Sequence, residues 1–416
     1  MSPDKKMDPL NTDSEAVIFY DISCTNVNEP SLKRQTECRK NPNLDIAQLK
    51  FLLTLTEHKN DTEYSNKLLR HIEENDMAPF YELVCKELDW EINRELFDRM
   101  KESNAKRLDL LDAEIEFARG NLGAIEVKEA YLDKANYLSS IGDKDETIKM
   151  LSQAYANTVA LGCQLDNVFH RIRLGLFFND SELIKKNLSR CNELIEKGAD
   201  WHHRNCHKIY KGLFSLTVRD FMTASNAFVS SISTFVCTEI TSYEEFIRYT
   251  ILTSMLTLKR QDLYGKILTN PEIGKVLHYN ETLKKFVHSL YHCEYKEFFN
   301  SLAEIEIRMR NDMLLYPHYR FYVREMRIKA YDQLLCTYIS VSLAYMADRF
   351  GVSEEYIEND VSKFIAAKRL NYKIDKIGGK LLNLRSNKKQ EMYENVLKQG
   401  DLLLNRIHKL SRVIDI

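Results

Sequence analysis

Residues 341–384 read VSLAYMADRFGVSEEYIENDVSKFIAAKRLNYKIDKIGGKLLNL, and they decide the fold. Ala344, Met346, Ala347 and Phe350 give an apolar face at helical spacing, and Gly351 ends that helix at a turn needing a positive φ. Ser353 is a good N-cap, and Glu354 and Glu355 place acid in the next first turn, where the helix dipole favours it. Ile357, Val361, Phe364 and Ile365 then share a face. Two helices joined by so short a turn are a helix-turn-helix. Beyond them Leu370, Tyr372 and Ile374 alternate with Asn371, Lys373 and Asp375, and Ile377-Gly378-Gly379-Lys380 supplies a turn before Leu381 to Leu384. The stretch is predicted to be a winged helix. Tyr372 and Ile374 would hold the hairpin on the helices, leaving an edge without proline open to a strand from another chain.

After the wing, Leu403, Ile407, Leu410 and Ile414 repeat at i, i+4, i+7 and i+11 within a helix expected over 389–416. So narrow a stripe either folds back on its own domain or meets helices of other subunits, and the second is the reading adopted. Toward the N-terminus a repeat appears when Asp143, Asp180 and Asp220 are set in register. Six and two residues before them stand Tyr137 and Ile141, Leu174 and Phe178, and Phe214 and Val218. Four, eight and eleven residues after them stand Thr147, Leu151 and Ala154; Ile184, Leu188 and Cys191; and Ala224, Phe228 and Ser231. Each unit reads as helix, turn at the acid, helix, at an interval close to that of tetratricopeptide-like repeats. Beyond Tyr243 the register fades, although Phe246, Tyr249, Leu252, Met255, Leu256 and Leu263 keep a helical period.

Before the repeat, Leu49, Leu52 and Leu53, then Leu68, Leu69 and Ile72, then Tyr81, Val84, Cys85 and Leu88 mark three short helices, with Pro79 opening the third. Leu96, Met100, Leu108, Leu111, Ile115 and Ala118 extend a longer one. Residues 1–40 hold three of the seven prolines and one short apolar run, Ala16 to Tyr20; they read as a disordered arm, or one carrying a small docking peptide. The fold class expected is mostly α: a disordered arm over 1–40, TPR-like helical repeats over 41–219, a helical extension ending in the winged helix over 220–388, and a C-terminal helix over 389–416.

Composition narrows the function. The 59 basic and 61 acidic residues leave a net charge of -2, so no global attraction to nucleic acid or membrane follows. No run approaches the roughly 20 apolar residues a membrane-spanning helix needs. Nine cysteines without a C-x-x-C pair, and sequons at Asn60, Asn179, Asn187 and Asn280 in a chain without an apolar leader, point to the reducing cytoplasm and nucleus. Phosphate loops and H-E-x-x-H or H-x-H zinc motifs are missing, so no catalytic residue and no cofactor is expected. The strongest metal candidate is Trp201-His202-His203-Arg204-Asn205-Cys206-His207, where a helix brings only pairs together, His203 with His207 and His202 with Cys206. His288 and His292 are another such pair, read as a solvated helix face. The second helix of the helix-turn-helix carries Glu354, Glu355, Glu358 and Asp360 and no base before Val361, which would repel a duplex. Residues 361–416 do hold 13 Lys or Arg against 5 Asp or Glu, a charge that suits an acidic protein surface as well as phosphate.

Several separated stretches carry a family resemblance: Asn75-Asp76-Met77-Ala78-Pro79-Phe80-Tyr81, Leu88-Asp89-Trp90, Tyr137-Leu138-Ser139-Ser140-Ile141-Gly142-Asp143-Lys144, Gly198-Ala199-Asp200-Trp201-His202-His203-Arg204-Asn205, Phe321-Tyr322-Val323-Arg324-Glu325-Met326-Arg327 and Gly400-Asp401-Leu402-Leu403-Leu404-Asn405-Arg406. In this order, over about residues 41–416, they resemble the PCI-domain family that supplies the seventh non-ATPase subunit of the 26S proteasome regulatory particle. The resemblance implies a scaffold without an active site in a hetero-oligomeric lid. Its winged helix would line up with those of sibling PCI subunits, and its last helix would enter a lid helical bundle. Partner-interface candidates are Leu370, Tyr372, Ile374, Leu403, Ile407, Leu410 and Ile414. The second wing strand departs from the family at Asn383-Leu384-Arg385-Ser386. The other readings are a PCI scaffold of the signalosome or of a translation initiation complex, a winged-helix nucleic-acid binder, and a peptidase or deubiquitinase.

Overall fold

A computed structural model describes residues 41–59, 61–383 and 388–414. The expectations for the arm over 1–40, for the sequon at Asn60 and for Leu384 lie outside them. The three short helices are α1 (Leu44–Thr54), α2 (Thr62–Glu74) and α3 (Ala78–Leu88), with Pro79 in the first turn of α3, and the longer one is α4 (Arg94–Asn121). Leu53, Leu68, Ile72, Tyr81, Val84, Cys85, Leu88 and Met100 form one core with Phe177. Helix α1 also reaches far along the chain. The Gln48 side chain donates to the Asn311 carbonyl and accepts from the Met313 amide at 3.0 Å, while Phe51 meets Tyr316 edge-on at 5.2 Å.

The repeat consists of three helix pairs: α5 (Ala124–Ile141) with α6 (Lys144–Ala156), α7 (Leu161–Phe177) with α8 (Ser181–Glu196), and α9 (Trp201–Thr217) with α10 (Phe221–Val229). The aspartates in register are the N-caps of the second helices. Asp143 accepts from the Glu146 amide, Asp180 from those of Glu182 and Leu183, and Asp220 from that of Thr223. In each pair the residue before the aspartate, Gly142, Asn179 or Arg219, has a positive φ, and the aspartate's own amide donates five residues back. All nine positions after the aspartates, from Thr147 to Ser231, are buried. Those before them are less uniform: Ile141 and Leu174 are buried, but Val218 is 57% exposed. Glycine permits the closest approach. A Cβ on Gly212 would stand 2.4 Å from the Phe228 ring, and one on Gly175 2.6 Å from Ile184.

The register returns where the sequence pattern lost it. After α11 (Tyr243–Thr257), the short α12 (Arg260–Leu263) with its π-helical continuation Tyr264–Leu268, and α13 (Pro271–Tyr279), the helices α14 (Glu281–His292) and α15 (Tyr295–Arg310) form another pair. Cys293 takes the positive φ, Glu294 stands in the aspartate's place with its amide bonded five residues back to Ser289, and Phe298, Leu302 and Ile305 are buried at four, eight and eleven residues beyond. Glutamate replaced the marker residue, so the match was hidden. The expected boundary at 219/220 falls inside the α9–α10 pair, and the main core runs without a break from Leu165 to Leu381.

Helix α16 (Tyr319–Leu335) leads to β1 (Ser340–Ser342), α17 (Leu343–Phe350), α18 (Glu354–Ala366), β2 (Tyr372–Asp375) and β3 (Lys380–Asn383). Gly351 has φ +66° and caps α17, and Ser353 caps α18 by accepting from the Tyr356 amide. Met346, Ala347, Phe350, Ile357, Val361 and Phe364 are buried; Ala344 is exposed, and Leu343 takes the core position assigned to it. The last helix, α19 (Lys388–Ile414), follows the wing.

Candidate assembly interface

The wing is a three-stranded antiparallel sheet in the order β1-β3-β2, not the two-stranded hairpin expected. β1 was missed because only Val341 of its three residues points inward, too little for a period of two to register. With β3 paired on both sides, the free edge of the hairpin belongs to β2 alone. Its alternation follows the expectation: Leu370 and Tyr372 are buried, Ile374 is half-buried, and Asn371, Lys373 and Asp375 are exposed. Leu370 and Tyr372 therefore pack into this chain's own core, and a strand added beside them would meet backbone, not their side chains.

Backbone direction can be read across the sheet. The Asn383 amide donates to Ile339, and that of Leu343 to Gly379, so residues 379, 381 and 383 of this strand and its turn face β1. Leu382 must face β2. Its partner there is Lys373, whose N–H and C=O are consumed inside the sheet, while those of Ile374, opposite Leu381, point outward. Ile374 therefore presents a backbone donor at the edge.

Helix α19 is the larger feature. Leu403, Ile407, Leu410 and Ile414 are 57 to 73% exposed, and no residue described from 392 to 414 is buried. The helix does not fold back on its domain. The stripe also continues toward the N-terminus beyond what was read, through Tyr393, Val396 and Gly400, keeping alternate steps of three and four residues. Leu397 and Leu404 widen it. The signal was present in the spacing and needed only to be followed past Leu403.

The acidic face of α18 is partly structural. Asp360 is buried and accepts from Arg327 Nη1 at 3.0 Å and from the Tyr331 hydroxyl at 3.2 Å; burial first, and Asp360 second, push the Tyr331 phenol up. Glu354, Glu355 and Glu358 keep that helix negative. Lys329, half-buried beneath the end of α11, donates to the carbonyls of Met255 at 2.5 Å and Leu258 at 2.7 Å, and its partial desolvation draws it down to about 8.

The histidine-rich start of α9 is divided by its neighbours. His203 stacks near Phe169 and stands 3.5 Å from Asp166, Cys206 Sγ lies 3.6 Å from His202 Nε2, and His207 is buried, which lowers it to about 4. His288 and His292 stack with centroids 6.1 Å apart. Among the described residues no three His, Cys, Asp or Glu converge as metal ligands, and no helix is long and apolar enough to cross a membrane.

Comparison with known proteins adds identity to this geometry. Residues 93–266 match the family described as 26S proteasome subunit RPN7, residues 302–382 the PCI domain, and residues 392–414 the 26S proteasome regulatory subunit RPN7/PSMD6 C-terminal helix. The chain is 40% identical over 378 residues to the 26S proteasome non-ATPase regulatory subunit 6 of Dictyostelium discoideum, covering 91% of this chain and 99% of that one. It is 41% identical over 382 residues to the subunit 6 homolog of Arabidopsis thaliana, with the same coverage. Against the 26S proteasome regulatory subunit RPN7 of Saccharomyces cerevisiae, identity is 32% over 403 residues, covering 90% and 93%.

Proposed function

Since the chain belongs to the Rpn7 family of 26S proteasome regulatory subunits, we propose that it acts as a scaffold of the regulatory-particle lid, holding sibling subunits together while taking no part in chemistry. The observation that carries the reading is α19. A 27-residue helix whose apolar stripe is left uncovered among the described residues has a large hydrophobic free energy available to a partner. The partners we assign are helices of other lid subunits gathered in a bundle around α19, and a PCI-domain sibling beside the wing. Neither nucleic acid nor membrane enters this reading; the negative charge of α18 argues against a duplex. Among the described residues no two cysteines are joined by a disulfide, which supports residence in the cytoplasm and nucleus.

The test replaces Leu403 and Leu410 together by Glu. Charge in a buried helix contact costs a few kcal/mol, so the variant should lose its co-purifying lid subunits while circular dichroism and melting of the isolated chain stay unchanged. Normal assembly of that variant would remove α19 from the interface. Ubiquitin-chain cleavage by the isolated protein, surviving repurification, would overturn the non-catalytic part.

A further inference from the structure

An open groove of 930 Å³ is lined from α6, α7 and α8, away from both the wing and the last helix. Its lining carries four cations, Arg171, Lys185, Lys186 and Arg190, against two carboxylates, Glu182 and Glu193, a net of +2. Arg171 is the unusual member. It is 9% exposed, its Nε donates to Asn167 Oδ1 at 3.1 Å, and its Nη2 lies 3.4 Å from Ser152 Oγ. Both acceptors are neutral. Among the described residues the one other buried arginine, Arg173, has Glu239 at 3.0 Å, and even the less buried Arg248 and Arg327 have Asp312 at 2.7 Å and Asp360 at 3.0 Å. Among the described residues no carboxylate stands within ion-pair distance of Arg171. A guanidinium taken out of water without a counter-charge is costly, so its retention asks for an anion from outside.

A second cation makes the requirement stronger. The guanidinium of Arg190 sits 4.2 Å from the centroid of the Tyr155 ring and that of Arg171 5.8 Å from the same ring, so two like charges gather around one aromatic side chain. The ring's quadrupole offsets little of this. A single carboxylate would neutralise one of the pair. A phosphoryl group carries about -1.5 to -2 at neutral pH and three acceptor oxygens, which matches two guanidinium forks.

We propose that this groove is a phosphoryl-binding site in which Arg171 and Arg190 together hold one dianionic phosphate group. Its source is either a small phosphate or a phosphorylated side chain of another protein, and the chemistry recognised is the same. The site is independent of the lid assembly proposed above.

The experiment uses the full chain and calorimetric titration with two probes at constant ionic strength: inorganic phosphate, and the capped peptide Ala-Ala-phosphoserine-Ala-Ala with its serine and glutamate counterparts. Saturable binding of phosphate that falls about tenfold or more in Arg190→Gln and in Arg171→Met is expected. Arg190 is exposed, so its variant keeps the fold if Arg171→Met does not, and circular dichroism checks both. Binding of the phosphoserine peptide through the same two residues identifies a phosphorylated side chain as the source. Binding of phosphate with exclusion of the peptide identifies a small phosphate. Absence of saturable binding for both probes, binding undiminished in Arg190→Gln, or a glutamate peptide that binds as well as the phosphoserine one, each overturns the proposal.

Discussion

The repeat pairs and α19 are built from the same pattern, apolar residues at helical spacing, and end in opposite states. In the pairs all nine positions marked after the aspartates, from Thr147 to Ser231, are buried, because the next pair stacks on them. In α19 Leu403, Ile407, Leu410 and Ile414 are all exposed. Periodicity therefore states that a face will be covered; which chain covers it depends on whether a neighbour follows in sequence. The pairs have successors to pack against. Helix α19 is joined to the wing at one end and has no later helix to close over it among the described residues.

Truncating one residue from each class is the strongest way to break this contrast. Phe228→Ala empties a site against Gly212 and the Phe246 ring, and should lower the stability of the isolated chain by about 3–5 kcal/mol. Leu403→Ala should change that stability by less than about 0.5 kcal/mol, because its side chain is 58% exposed. Denaturant unfolding of both measures the difference. Comparable losses would mean that α19 packs on its own body in solution, and the contrast would fail.

A smaller effect separates covered from uncovered backbone within the wing. Lys373→Pro removes a donor spent inside the β2–β3 ladder and should cost the isolated chain about 1–3 kcal/mol. Ile374→Pro removes a donor that points away from the sheet, so its cost should stay below about 1 kcal/mol. If a PCI sibling adds a strand at this edge, Ile374→Pro also loses that partner in pull-down while keeping its melt. Retained binding would show that the edge is unused.

How much of this was legible differs by kind of signal. The helix-turn-helix, from Met346 through Gly351 to Ile357, was readable because its apolar spacing, left-handed turn and N-cap are all local. The aspartate register was readable for the same reason. What escaped depended on residues distant in sequence or on an unexpected residue type. β1 shows too few residues for a period, and its existence rests on pairing with β3 some forty positions later. The α14–α15 pair hid behind Glu294. At the interface, α19 was recognised from spacing alone, but Tyr393 and Val396 were overlooked, and the inward direction of Lys373 followed only from the bond between Asn383 and Ile339. The uncompensated charge of Arg171 is invisible in sequence, since counter-ions are spatial neighbours.

The last test grades the caps that punctuate the pairs. Replacing an N-cap aspartate by alanine costs about 1 kcal/mol when the carboxylate holds backbone amides, so the cost should follow the bonds each one makes. Asp180 should cost most: it accepts from two amides and from Lys144 of the preceding pair at 2.6 Å, and so ties two pairs together. Asp220 and Asp143, each accepting from one amide, come next. Glu294→Ala should be nearly silent, because its side chain makes no capping bond. The pH dependence has a definite sign. Lys144 first, then the Leu183 amide, hold the Asp180 carboxyl below its ordinary 3.8, so the folded state binds this proton more weakly than the unfolded chain. Its contribution is present above about pH 4 and is lost as pH falls through the lowered folded value. The melting difference between the wild type and Asp180→Ala should therefore shrink in acid, while that between the wild type and Glu294→Ala stays near zero throughout. Equal losses at all four positions would mean that the turn geometry, set by Gly142, Asn179, Arg219 and Cys293, and not the acid, fixes where each second helix begins.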